Sequence, residues 1–440
     1  MARLIFILSL FLFAGISLRA QSRWNYSYTD SITFALYNSG EFAQVIDSSS
    51  AAIKDGTDFY YLRMRRGISF YNLHQFGNAI PEFEHALKFF PADSVAREYL
   101  YLSELENGRR NEARWDGKQL SAHEKKSLGY NNPIATQVGA WVGYSTFNTS
   151  GLQAGMGELP QTSIYKNLYY ADVFFKNRIG QRFELGTEVA FLHFTQLEQF
   201  PPAPPQSAGQ RPAPPTQFEV SGTQPGFSVS GKYLVTRKFS VSGSVLYNQT
   251  SSTSHKLLQP YAFEEQQHSI TLLDYGIAAA YHFKKIDASA HGYFLQSSDT
   301  GNIFQSSLLV TWYPHANLDF YLKGNFSGVI INSQLRPVVS LLIGKKAGSH
   351  VWLDGEFLFG NLKYYTAPEN NILYNMADET SWRLSATLHV FAKNHWLVDF
   401  QYAYTARYSG ELLYSQGNAP VNSTFYYHSN QLTLSTSWKF

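Results

Sequence analysis

The segment QLTLSTSWKF, residues 431 to 440, sets Leu432, Leu434, Trp438 and Phe440 on one parity and Gln431, Thr433, Ser435, Ser437 and Lys439 on the other. Successive side chains of a strand point to opposite faces, so this alternation makes one apolar face edged by aromatic rings and one face of small polar groups. Such a strand suits a wall between lipid and water. In hydrocarbon an open sheet edge would leave backbone N–H and C=O groups unpaired, so one strand of this kind demands a closed sheet around it.

A membrane strand that ends on an aromatic residue resembles the terminal signal of bacterial outer-membrane β-barrel proteins. The resemblance implies that Trp438 and Phe440 act as a membrane-insertion signal read by the outer-membrane assembly machinery. The other end agrees on the compartment. Arg3 precedes an apolar run from Leu4 to Leu18, and Ala20 stands before Gln21, the pattern of a secretory signal peptide, so residues 1–20 are set aside from the fold. No later stretch approaches the roughly 18 uninterrupted apolar residues that a membrane helix needs. The chain has no cysteine, which excludes disulfides, thiolate metal sites and a lipid-anchored start.

The net charge of +2 gives no reason to expect nucleic acid as a partner. Aromatic residues make up 16% of the chain against 15% charged, and the 30 Tyr and 33 Phe concentrate after residue 140, where amphipathic rings can sit at a lipid interface. The 440 residues are enough for two domains.

Between Tyr26 and Lys126 the apolar positions follow the helical period and recur at a spacing of 34: Asn38, Phe42, Ile46, Ala52 and Lys54 return as Asn72, Phe76, Ile80, Ala86 and Lys88. In the second copy Gly67, Phe70, Ala79, Phe83, Ala86 and Pro91 occupy small, aromatic and proline positions that resemble those of the tetratricopeptide repeat. A weaker third copy carries Tyr101 and Ala113. The resemblance implies a helical array over residues 24–126, followed by a linker at 127–135, and a docking surface for a periplasmic protein. Arg63, Arg65 and Arg66 are its candidate contacts; a solvated helix face or a simple spacer is the competing reading.

From residue 136 to 440 the alternation predicts fourteen strands, at 136–148, 167–178, 183–195, 226–236, 239–249, 268–283, 286–297, 303–313, 317–327, 334–344, 350–360, 380–392, 395–408 and 425–440. Each is long enough to cross a bilayer at a tilt. Short links at 179–182, 237–238, 284–285, 314–316, 345–349 and 393–394 alternate with longer ones, the shortest of these being 298–302 and 328–333. That is the expected alternation of periplasmic turns and external loops. The expected short turns carry Arg178, Arg182, Arg237, Lys238, Lys284, Lys285, Lys345, Lys346 and Lys393 and no acidic residue, which suits an anionic inner leaflet. The fold class is therefore α + β multidomain: a short TPR-like helical array in the periplasm, then a 14-stranded antiparallel transmembrane β-barrel in the outer membrane.

On the polar parity lie Asp172, Lys176, Glu184, Glu188, Lys232, Asp274, Asp287, His291, Asp319, Lys323, Asp354, Glu356, Arg383, Asp399 and Arg407. A charge on the lipid face costs about 2–4 kcal/mol for Lys or Arg near the midplane, so these residues should face a lumen. There they would line a path for a polar solute or pair with one another. A loop with Pro201, Pro202, Pro204, Pro205, Pro212, Pro214 and Pro215 should be extended, as an external ligand, a plug or a plain surface loop. His428 beside Ser429 is the one suggestion of a hydrolase, but adjacent strand residues face opposite ways. No catalytic residue, metal-ligand spacing or cofactor motif is assigned.

Repeats followed by an outer-membrane barrel resemble the architecture of the exopolysaccharide export porins. The resemblance implies export or diffusion of a polar solute or polymer. The alternatives are a non-conducting outer-membrane anchor, scaffold or surface-binding protein and, third, a lipid-modifying hydrolase.

Overall fold

A computed structural model describes residues 24–130, 133–148, 160–200, 216–258, 262–368, 372–374, 378–392, 395–413 and 421–440. The leader at 1–20, the Pro-rich loop at 201–215 and Lys393 lie outside the described residues. The chain divides into two compact units, Met1–Tyr130 and Asn131–Phe440.

Among the described residues the first unit holds seven helices, α1 (Tyr26–Asn38), α2 (Phe42–Lys54), α3 (Tyr60–Asn72), α4 (Phe76–Phe89), α5 (Ser94–Glu106), α6 (Arg110–Gly117) and α7 (Ala122–Ser127). The helices α1, α3 and α5 start at Tyr26, Tyr60 and Ser94, and α2, α4 and α6 at Phe42, Phe76 and Arg110, so each set keeps the 34-residue spacing. Side-chain oxygens start three of the helices: Asn25 accepts from Tyr28 N–H, Asp93 from Ala96 N–H, and Ser121 with Glu124 forms a capping box. Met64, Phe70, Ala79, Ile80, Phe83, Ala86, Ala96 and Leu100 form the core. Gly67 is small because α3 and α4 meet there; a Cβ on it would come within 2.7 Å of the Phe83 ring.

The second unit is a closed antiparallel barrel of fourteen strands. They are β1 (Ala135–Phe147), β2 (Pro160–Ile179), β3 (Phe183–Phe200), β4 (Thr216–Leu234), β5 (Phe239–Leu258), β6 (Ala262–His282), β7 (Ile286–Ser297), β8 (Gly301–Trp312), β9 (Phe320–Ile331), β10 (Gln334–Gly348) and β11 (Val351–Gly360), then β14 (Glu379–Phe391), β15 (Trp396–Leu413) and β16 (Val421–Lys439). The seam between β1 and β16 runs in register from Gln137 opposite Lys439 to Phe147 opposite Ser429. Outward positions are exposed and apolar, including Val142, Val189, Ile277, Phe326, Phe357, Phe400 and Leu432. A continuous band of this kind is a lipid-facing surface.

Several strand ends differ from the sequence reading, because ladder hydrogen bonds persist where turn-forming residues suggested loops. The expected long link at 328–333 is a two-residue turn: β9 continues to Ile331, β10 begins at Gln334, and Asn332 and Ser333 take φ of 49° and 63°. That is the left-handed pair which matches the twist of a hairpin. Lys345 and Lys346 belong to β10, and the turn after β8 extends to Asp319, whose carboxylate lies 3.4 Å from Lys346. The basic turns therefore do include one acidic neighbour.

The link between β11 and β14 is not an external loop. It forms a small hairpin, β12 (Tyr365–Ala367) with β13 (Ile372–Tyr374), paired only with itself. Its Leu362, Tyr364, Tyr365 and Leu373 share a buried cluster with Leu272, Leu295, Ile303, Val329, Ile331, Val338 and Leu358, which are wall residues on the inward parity of β6 to β11. The hairpin thus fills part of the lumen as a plug.

Candidate lumen site

Fourteen of the fifteen charged candidates lie on the parity opposite the exposed apolar residues of their strands. Asp172, for example, sits between outward Tyr169, Val173 and Phe175. The fifteenth, Asp319, stands one residue before β9. The structure sorts them into three groups.

The first group holds the plug. Asp274 is 3% exposed and accepts from Thr366 Oγ1 at 2.7 Å. Gln305 Nε2 donates to Thr366 O at 2.7 Å, and Thr366 N donates back to Gln305 Oε1 at 2.9 Å. Asn325 Nδ2 donates to Tyr365 Oη at 2.8 Å, and Tyr364 Oη donates to Asp299 at 3.0 Å. The backbone of a hairpin severed from the wall ladder needs such partners, and inward amide and carboxylate side chains provide them.

The second group consists of charges held by neighbouring side chains. His389 bridges Asp399, 2.7 Å from Nδ1, and Asp354, 3.2 Å from Nε2. Tyr321 Oη donates to Asp354 at 2.6 Å and Ser435 Oγ to Asp399 at 2.7 Å. Glu356 lies 3.7 Å from Arg383, which also donates to Gln401. Asp287 accepts from Tyr313 Oη and contacts His282, while Arg407 donates to Ser429 Oγ at 3.0 Å and stands over the Phe147 ring. Lys323 is engaged as well.

The third group, Asp172, Lys176, Glu184, Glu188, Lys232 and His291, lines one cavity of about 270 Å³. Ser228, Ser230, Ser242 and Ser244 complete its polar wall, Trp141, Phe174 and Tyr293 give it rings, and Pro368 brings the plug loop to its edge.

The hydrolase cluster does not assemble. The His428 ring stacks on outward Tyr404 at 5.2 Å, while Ser429 is 2% exposed on the inward parity and accepts from Arg407. Among the described residues, no group of three or more His, Cys, Asp or Glu is placed to hold a metal ion.

In the helical unit, the three arginines read as partner contacts are tied inward. Arg63 is 8% exposed and donates to both Asp58 and Glu82, Arg66 donates to Glu82 at 2.9 Å, and Arg65 reaches Asp30 at 2.8 Å between the rings of Phe34 and Tyr61. Nearby, burial and the charges of Arg63 and Lys88 hold the His85 imidazole below its ordinary pKa.

Sequence reading missed the plug. A signal was present: Leu272, Ile303, Val329, Val338 and Leu358 are apolar on the inward parity, where a wet lumen would take polar side chains.

No protein-family model matches this chain, and no curated protein does. Among solved structures it is similar to the Pseudomonas putida toluene transporter TodX, with 8% identity and a TM-score of 0.45, over 70% of this chain and 90% of that one. It is also similar to a Pseudomonas aeruginosa FadL homologue, at 11% identity and a TM-score of 0.45, over 71% and 94%. The translocator domain of the autotransporter NalP from Neisseria meningitidis aligns at 10% identity and a TM-score of 0.36, over 77% and 99%. Likeness at this level carries no inference about substrate.

Proposed function

We propose that this protein is an outer-membrane channel for a small polar solute, with the β12–β13 hairpin as its stopper and the helical unit as a periplasmic, tetratricopeptide-like docking module. The observation that carries the reading is the combination of an apolar outer surface with a lumen in which a polar cavity adjoins a hairpin held by side chains rather than by the wall ladder. Undocking the hairpin exchanges side-chain hydrogen bonds for water and exposes the apolar contacts of Leu362, Tyr364, Tyr365 and Leu373, but strips no strand from the barrel. A cavity of about 270 Å³ suits a small solute better than a polymer.

Liposome swelling tests the channel. Full-length protein should pass glucose slowly, and a variant whose residues 362–374 are replaced by a short Gly-Ser link should pass it several-fold faster. If neither form passes any solute, the barrel is a non-conducting anchor. Docking is tested by comparing what the full chain and a form lacking residues 24–126 retain from periplasmic extract.

A further inference from the structure

We propose that Lys345 anchors the head of an anionic phospholipid at the border of the barrel's apolar band, on the side of the short turns. The site lies on the outer surface, so it stands or falls apart from the channel reading. Two neighbouring lysines occur near the end of β10, and the strand sends them opposite ways. Lys346, opposite Trp352 on the inward parity, stands over that ring and lies 3.4 Å from the Asp319 carboxylate. Lys345 shares the outward parity of Val339, Leu341 and Ile343 and is exposed. Among the described residues its ammonium forms no ion pair and no hydrogen bond.

The register sets what surrounds that ammonium. Lys345 is paired with Phe320 on β9 and with Leu353 on β11, and Ile343 stands one outward step deeper. Leu353 is 50% exposed and Ile343 47%, both on the lipid-facing surface. From Leu335 to Ile343 the outward positions of β10 cover eight steps, roughly 27 Å along the strand and about 20 Å across the bilayer at a tilt of about 40°. Lys345 adds about 5 Å, which brings it to the edge of an apolar band about 25 Å tall.

Two further rings mark the same border. Trp312 at the end of β8 is exposed, and so is His315, whose ring centroid lies 6.4 Å from that of Phe320. The first charged group of a phospholipid at this depth is its phosphate. A lysine can lay its stem along apolar surface and give its head to that phosphate in a charge-assisted hydrogen bond, with the His315 ring as a second donor. Lys284 and Lys285 add positive charge to the same rim, so a head with net negative charge is favoured over a zwitterion. At the far end of β10 the outward position is Leu335, 67% exposed, and the preference therefore belongs to one leaflet.

The chain has no cysteine, so Leu353→Cys carries a single thiol-reactive fluorophore beside Lys345. The labelled full chain is placed in vesicles that mix dioleoyl-phosphatidylglycerol with dioleoyl-phosphatidylcholine, one of the two brominated in its acyl chains. Quenching then reports which lipid sits at the label. We expect phosphatidylglycerol to be favoured about fivefold at this position and not at all at a label on Leu335→Cys. Lys345→Gln should abolish the preference and Lys345→Arg should keep it. Heat-modifiable migration in gels certifies each barrel, and a label on Ile343→Cys serves if the Leu353 variant fails to fold. Equal quenching by the two lipids beside Lys345, a preference that survives Lys345→Gln, or the same preference at Leu335 overturns the proposal.

Discussion

Gln305 and Thr366, 61 residues apart, exchange a pair of hydrogen bonds inside the barrel, the Gln305 amide meeting the Thr366 backbone as a neighbouring strand would. One side chain thus replaces a rung of the ladder that the plug hairpin lacks.

Replacing Gln305 by Ala should leave the buried N–H and C=O of Thr366 unpaired, at about 1–3 kcal/mol each. The plug then spends more time away from the wall. Single-channel recordings should show a several-fold higher open probability, with the barrel's unfolding midpoint little changed. Gln305→Glu keeps only the acceptor and should fall between.

His389 stands between Asp354 and Asp399, its two ring nitrogens within hydrogen-bonding distance of one carboxylate each. His389→Leu would leave two half-buried carboxylates facing each other without a bridge. The expected loss is about 3 kcal/mol in urea unfolding from detergent, partly recovered by the second change Asp399→Asn.

Gly67→Ala should press a methyl into the fully buried Phe83 ring, costing about 1–3 kcal/mol. Phe83→Leu on the same chain makes room, so the double variant should lose less than the sum of the single changes. Exchange protection of α3 and α4 amides reads both.

Folding lowers the pKa of His85 through burial beside Arg63 and Lys88, and that of Glu124 through its hydrogen bonds with Ser121. In each case the unfolded chain binds more protons, so the contribution is present above the unfolded pKa and is lost as pH falls. The helical signal should therefore melt at progressively lower temperature as pH falls below about 6.5 and again below about 4.5. His85→Gln should flatten the first step only.

The barrel was legible because lipid imposes a two-residue period on every strand, visible from Gln431 to Phe440 and repeated through Phe239 and Leu318. Strand ends were less legible. Asn332 and Ser333 read as part of a six-residue loop because turn propensity does not reveal how far the ladder runs on either side. The plug was hidden for another reason: Tyr365 and Leu373 carry no periodic signal, and their meaning depends on Val329 and Val338, which only the closed sheet brings to them. Among the cavity residues, sequence supplied the inward parity of Asp172 and Lys176 but not which charges pair and which stay apart.

Gln137 Nε2 donates to Ser437 Oγ at 3.1 Å across an interval of 300 residues. Until β16 is in place, β1 has no mate on that side and the sheet keeps two raw borders. Joining ends so distant is slow, since chain entropy must be given up before any contact rewards it. Closure is therefore all-or-nothing in time as well as in space, and both borders stay open to foreign strands until β16 takes its place.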